Sequence, residues 1–208
     1  MVQKLHLGSG RLEKLDSARL EKFLTLDWIN LGDFELKNPN NKPLQEVNYS
    51  KTKFIPFFYN FGDRLPFEDK STSFIFSEHF FEHFFLRESL ALFKECYRIL
   101  EEGGVMRVVV PDADLRPIPE RLGFPSELLG YNCPEKHKTR WSVYNLSPSL
   151  EVVGFKINPL KYYDTNQILH DQTKNMNLDF YFSCKDLQNI IDFSIIKRNN
   201  SLIIDGIK

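Results

Sequence analysis

The sequence predicts an α/β fold: a mostly parallel sheet with helices on its faces. Three observations predict it. Short apolar runs alternate with polar or helix-spaced segments, as strands joined by crossovers do. The run Val105-Met-Arg-Val-Val-Val110 is almost continuously apolar, as a parallel strand covered on both sides should be. Near the start, Lys4-Leu-His-Leu-Gly-Ser-Gly10 carries a short apolar strand into a Gly-x-Gly turn. Glycine there lets the backbone approach a ligand where a Cβ would collide.

Taken in order, Leu5 to Leu7 is the first strand and Phe23 to Leu26 the second. Asp27 follows that second run, seventeen residues after Gly10. A carboxylate at a strand end beside a glycine turn can accept two hydrogen bonds from a ribose diol, as in Rossmann-like nucleoside pockets. The segment 30–53 is rich in Asn, Lys and Pro and reads as a surface excursion. Phe54-Ile-Pro-Phe-Phe-Tyr59 is a third strand, placed at a sheet edge by its proline. Leu65-Pro-Phe67 opens a turn into a fourth strand, Ser73 to Phe76.

Glu88 to Leu100 is the clearest helix, with Leu90, Phe93, Tyr97 and Leu100 along one face. Cys96 falls off that stripe. Gly103-Gly104 supplies a left-handed helix stop, and Val105 to Val110 is the fifth strand, halted by Pro111. The segment 113–140 has prolines and glycines without a period and reads as a long lid over the strand ends. A short helix over Asn145 to Val153, a strand over Phe155 to Tyr163 and a last strand over Ser201 to Ile207 complete a single domain of 208 residues.

Net charge is −1, from 27 basic and 28 acidic residues, which gives no electrostatic reason to expect a nucleic-acid partner or a membrane surface. No apolar run reaches the length of a membrane span. The three cysteines, Cys96, Cys133 and Cys184, are far apart and show no metal-ligand spacing. They suit a reducing, cytoplasmic setting. No metal is expected from them. Oligomeric state is not written in the sequence.

Several segments together resemble the class I S-adenosylmethionine-dependent methyltransferases, in particular small bacterial and phage chains related to methyltransferase type 11. They are Leu5-His-Leu-Gly-Ser-Gly10, Leu65-Pro-Phe67, Ser77-Glu-His-Phe-Phe-Glu-His83, Glu95 to Gly104, Arg107-Val-Val-Val-Pro-Asp112, His137-Lys-Thr-Arg-Trp141 and Ser201-Leu-Ile-Ile-Asp205. The resemblance implies a Rossmann-like seven-stranded sheet in the order 3-2-1-4-5-7-6, with strand 7 antiparallel. It also implies S-adenosylmethionine as cofactor, bound by Leu7, Gly8, Ser9 and Gly10, by Asp27 at the ribose, by Asn60 and Phe61 at the adenine, and by Ser77 and Glu78 near the methyl group. Asn60 departs from the Asp usual in related chains, but its amide carbonyl can still accept from adenine. Glu13, where a dinucleotide fingerprint has its third glycine, is a poor neighbour for a pyrophosphate and suits a cofactor without phosphate.

His79, and after it His83, are the candidate general bases for an acceptor that must lose a proton. His137, Arg140 and Trp141 are the candidate substrate residues. The resemblance implies a small-molecule or glycan acceptor. Two other readings stand beside this one. The chain can be a non-catalytic binding protein that kept the fold, a reading to which Ser9 and Asn60 lend some weight. Alternatively His79-Phe-Phe-Glu-His83 spells H-x-x-E-H, a zinc-hydrolase pattern that lacks a third ligand downstream.

Overall fold

The computed structural model describes residues 3–8, 28–31, 47–49, 52–55, 62–115, 137–184 and 200–208. Among them run strands β1 (Gln3–Leu7), β2 (Trp28–Leu31), β3 (Val47–Tyr49), β4 (Thr52–Ile55), β5 (Thr72–Glu78), β6 (Leu100–Pro111), β7 (Lys156–Tyr163), β8 (Leu169–Asp171) and β9 (Ser201–Ile207). Helix α1 covers Leu86–Ile99 and α2 covers Val143–Glu151; Phe81–His83 and Leu178–Tyr181 are single 3-10 turns.

The strands form one sheet in the order β3-β4-β2-β1-β5-β6-β9-β7-β8. From β4 to β6 neighbouring strands are parallel. β9 is antiparallel to both β6 and β7. The sheet therefore has nine strands among the described residues rather than seven. β3 and β8 add a short antiparallel strand at each edge.

Side chains alternate across the sheet with the two-residue period of extended chain. Leu5, Leu7, Ile75, Met106, Val108, Val110, Leu202 and Ile204 enter one core with Leu92, Phe93, Cys96 and Ile99 of α1 and Leu146 and Leu150 of α2. Phe74, Phe76, Val105, Val109, Ile203 and Ile207 enter the other with Tyr181. Both described α-helices thus pack on one face. On the other, the described cover is the 3-10 turn around Tyr181.

Several local expectations change. β2 is Trp28–Leu31, paired in parallel with β1 from Lys4↔Trp28 to Leu7↔Leu31. Asp27 therefore precedes this strand in the chain instead of following it; Phe23 to Asp27 lie outside the described residues. The excursion expected over 30–53 contains β3. The third strand is Thr52–Ile55 and stops before Pro56. It is not an edge strand, because β3 covers it.

The buried face of α1 is Ser89, Leu92, Phe93, Cys96 and Ile99, so Cys96 lies at its centre and Leu90 and Tyr97 at its flanks. The apolar period was right, and the stripe was off by about one position. α1 passes straight into β6 at Leu100, so Gly103-Gly104 lies within the strand rather than capping the helix. Gly103 holds a φ of +79°, and a Cβ there would collide with the backbone oxygen of Ser183.

Arg98, near the end of α1, fixes the turn that leads into β5. Its guanidinium donates to the carbonyls of Leu65 (3.0 Å) and Phe67 (2.9 Å) and to the carboxylate of Asp69 (2.6 Å). Glu95, one turn earlier, accepts from Arg98 (2.8 Å) and from the Leu65 backbone N–H (2.8 Å). Burial tends to raise the Glu95 carboxyl, but these donors outweigh it and hold the group below the ordinary range.

Candidate active site

The strand order places β1 between β2 and β5, so from β1 the parallel sheet continues to β2 and β4 on one edge and to β5 and β6 on the other. The carboxyl ends of β1 and β5 therefore flank the switch point, where open α/β sheets hold ligands. Leu7 pairs with Ser77, so both strands end level.

Gly8 ends β1 with a φ of +67°, and a Cβ at that position would run into the ring of Phe80. The close approach that requires glycine here is first of all to the chain's own aromatic ring. Ser9, Gly10, Asn60 and Phe61, like Asp27, lie outside the described residues. Leu7 is fully buried. Ser77 is buried too, and its hydroxyl donates to the Arg107 carbonyl at 3.5 Å.

His79 follows β5 in a left-handed conformation, φ +50°, unusual for a residue with a side chain. Its backbone N–H donates to the Val109 carbonyl at 2.8 Å, which ties this turn to β6. Its Nε2 lies 2.9 Å from the Ser201 hydroxyl, and its Nδ1 is 3.6 Å from Oε1 of Glu82. His79 and His83 do not share a helical face. His79 precedes a 3-10 turn that His83 ends, and Phe80, Phe81 and Phe84 are buried around it.

Glu82 is the centre of this region, and the sequence reading did not single it out. Its side chain is 2% exposed, yet three imidazoles approach Oε1: His79, His83 at 3.9 Å and His137 at 3.9 Å. His137 comes from a segment more than fifty residues away in the chain. That segment is docked by its backbone: Lys138 and Thr139 donate to the Glu82 carbonyl at 2.7 and 3.2 Å, and the Thr139 hydroxyl donates to the Phe84 carbonyl at 2.6 Å. The His83 and His137 rings meet edge to face at 5.2 Å. Burial, with help from the Lys138 cation, pushes the His83 imidazolium toward the neutral form.

Glu82, Pro111, Ala113, His137, Thr139 and Arg140 line a small recess beside this cluster. Arg140 donates to the Ala113 carbonyl at 3.2 Å. Trp141, expected at the substrate, is instead 1% exposed within the core, 6.2 Å from the Phe93 ring. Its backbone bridges to Asp112 at the end of β6. Asp112, also buried, accepts from the N–H groups of Asp114 (3.0 Å) and Tyr163 (2.8 Å), and burial raises its carboxyl above the ordinary range. Of the candidates, then, His79, His83 and His137 converge, Arg140 lines the neighbouring recess, and Trp141 supports them from below.

Comparison with known proteins agrees with this layout. A family model described as a methyltransferase domain matches residues 38–108. A solved S-adenosylmethionine-dependent methyltransferase from Archaeoglobus fulgidus superposes over 99% of this chain and 86% of its own, with a TM-score of 0.53 and 18% identity. The chain has a class I methyltransferase fold. A second neighbour is a methyltransferase from Haloferax volcanii solved in complex with its Trm112 activator (TM-score 0.53, 16% identity, 99% of this chain and 81% of that one). A third is phosphoethanolamine N-methyltransferase 2 from Haemonchus contortus, solved with phosphomonomethylethanolamine and S-adenosylhomocysteine. This chain covers 49% of that enzyme, at a TM-score of 0.55 and 15% identity. No curated protein matches the sequence. The family model covers 71 of the 208 residues, and the solved structures share the fold. No helix of the described residues is long and apolar enough to cross a membrane.

Proposed function

We propose that this protein transfers a methyl group from S-adenosylmethionine to a small-molecule or glycan acceptor, with the cofactor lying across the carboxyl ends of β1 and β5. The observation that carries this reading is the switch point itself. Gly8 in its left-handed turn and the Glu78-His79 turn stand level where the order of the parallel strands turns back past β1. We read the seven strands inside the two edge strands as the methyltransferase sheet. Leu7 to Gly10 then approach the cofactor along the backbone, Asn60 and Phe61 serve the adenine, and Glu78 lies toward the methionine end. Ser77 borders the pocket from within the sheet.

The bounds of β2 favour a different ribose residue. Because β2 ends at Leu31, the first carboxylate after its carboxyl end is Asp33, not Asp27. A ribose diol needs its acceptor on that side of the sheet. Asp33 is therefore our ribose residue.

Methyl transfer is displacement at carbon with a sulfonium leaving group. The cofactor supplies the reactivity, and the protein supplies alignment and exclusion of water. The turn 78–85 and the segment 137–140 form the acceptor side. His79 is held by Ser201 and faces Glu82, so its orientation is fixed before an acceptor arrives. Where the acceptor is a hydroxyl or amine, His79 or His83 takes its proton. A cytoplasmic setting goes with this reading, since the spacing of the three cysteines suggests no disulfide framework.

Calorimetric titration with S-adenosylhomocysteine tests the reading. One equivalent should bind, Asp33→Ala should weaken binding at least tenfold, and Asp27→Ala should leave it within a factor of two. Absence of binding to the folded wild-type chain would end the proposal. The Phe80 ring over Gly8 favours one second reading, a non-catalytic relative whose pocket is partly filled from within. That reading expects binding without methyl incorporation across panels of small acceptors and oligosaccharides supplied with labelled cofactor.

A further inference from the structure

We infer that Glu82, His83 and His137 form a binding site for a divalent transition-metal ion of the zinc class. The methyltransferase reading assigns no metal, and this inference does not depend on it; with His83 coordinated, the proton of an acceptor falls to His79. One ligand atom from each of the three residues lies within 4.8 Å of the others. Oε1 of Glu82 is 3.9 Å from Nε2 of both His83 and His137. Ligands about 2.1 Å from a tetrahedral zinc ion stand about 3.4 Å apart. An ion placed among these atoms must draw Oε1 about 0.5 Å closer to each of the two imidazole nitrogens. Direct hydrogen bonds would be shorter than the observed approaches.

The donor chemistry fits. Two imidazoles and one carboxylate make a ligand set that zinc uses where it keeps an open position. A metal-bound imidazole coordinates in its neutral form, which both histidines can supply. The carboxylate is buried and its backbone is clamped by Lys138 and Thr139, so Glu82 and His137 are held together before any ion binds. His79, whose Nδ1 lies 3.6 Å from the same Oε1 of Glu82, is a third imidazole beside the carboxylate. Glu82 and His137 also line the recess with Arg140.

The sequence shows why the site was missed. H-x-x-E-H suggests His79 and His83 as paired ligands on a helix. The turn is instead 3-10, Glu82 becomes a ligand, and the third comes from His137 across the fold.

The test uses tag-free, chelator-treated full-length protein titrated with zinc chloride, in the absence of S-adenosylmethionine. The expected result is one equivalent bound at micromolar affinity or tighter, weakened at least tenfold in His83→Ala and in His137→Ala. Both side chains are partly exposed, so these variants should fold, as circular dichroism would verify. Cobalt(II) should give the intense visible absorption of a four-coordinate ion, lost in His137→Ala. His170→Ala, a histidine paired with Asp164 outside the cluster, should bind like wild type. Sub-stoichiometric binding, or equal weakening in His170→Ala, overturns the inference. Because the readout is metal rather than methyl transfer, failure here leaves the proposed activity standing, and the reverse also holds.

Discussion

At the scale of single residues, Gly8 and Glu82 carry most of the site's physics. Gly8 needs both a left-handed backbone and empty space beside it. Gly8→Ala should cost about 1–2 kcal/mol from the backbone alone, and overpacking against Phe80 adds about 1–3 kcal/mol. Urea denaturation measures the sum. Adding Phe80→Ala to Gly8→Ala should relieve the second part and not the first; a single variant as stable as wild type would refute the account. Gly8 was legible as a special position, because a strand ending in Gly-x-Gly demands unusual backbone. Its contact with Phe80 was not, since the two meet only after β5 pairs with β1. Glu82 was hidden for a related reason: a buried carboxylate among phenylalanines looks anomalous until the histidines arrive.

At the scale of elements, α1 does two jobs. Its apolar face packs on the sheet, and its Glu95–Arg98 pair clamps the turn before β5. Arg98→Met leaves the carbonyls of Leu65 and Phe67 and the Glu95 carboxylate without that donor. Hydrogen bonds to charged groups contribute about 1.5–3 kcal/mol each in partly buried settings, and a loss of about 2 kcal/mol in urea denaturation is expected. The pH dependence has a definite sign. The Glu95 carboxyl is lowered in the folded state, so its contribution is complete above the ordinary carboxyl range and is lost as pH falls through the folded value. The wild-type chain should therefore lose stability with acid more steeply than Arg98→Met. Parallel slopes between pH 6 and about 3 would show that Glu95 gains nothing from its partner. The helix itself was legible from its period. The clamp was not, because Leu65 and Arg98 lie on opposite sides of β5 in the sequence.

At the scale of the whole molecule, the last strand closes the sheet. All seven residues of β9 are buried, wedged between β6 and β7. Arg107 and Asp205, opposite each other on β6 and β9, form a bidentate pair at 2.7 Å, fully buried. The Tyr181 hydroxyl donates to the same carboxylate at 2.6 Å and accepts from Asn158 at 3.0 Å. Burial and the Asp205 charge push the Tyr181 phenol up, which keeps it a donor. Burial disfavours the Arg107 charge, but Asp205 outweighs it. Asp205→Ala leaves a buried guanidinium uncompensated and should cost about 3–5 kcal/mol in chemical denaturation. Replacing both partners, Arg107→Leu with Asp205→Leu, should recover a large part of that loss, since apolar packing removes the desolvation penalty. If the double variant is as unstable as Asp205→Ala, the pair contributes more than mutual neutralisation.

The sequence by itself determined the fold class, the place of most strands, the helix of 86–99 and the glycine turn. Each follows from local periodicity or from a residue with unusual backbone freedom. Tertiary structure decided which strand pairs with β1 and in what register. It decided that Trp141 is core. It also gathered His83 and His137 around Glu82, because long-range strand pairing and backbone docking set those distances and no local pattern encodes them.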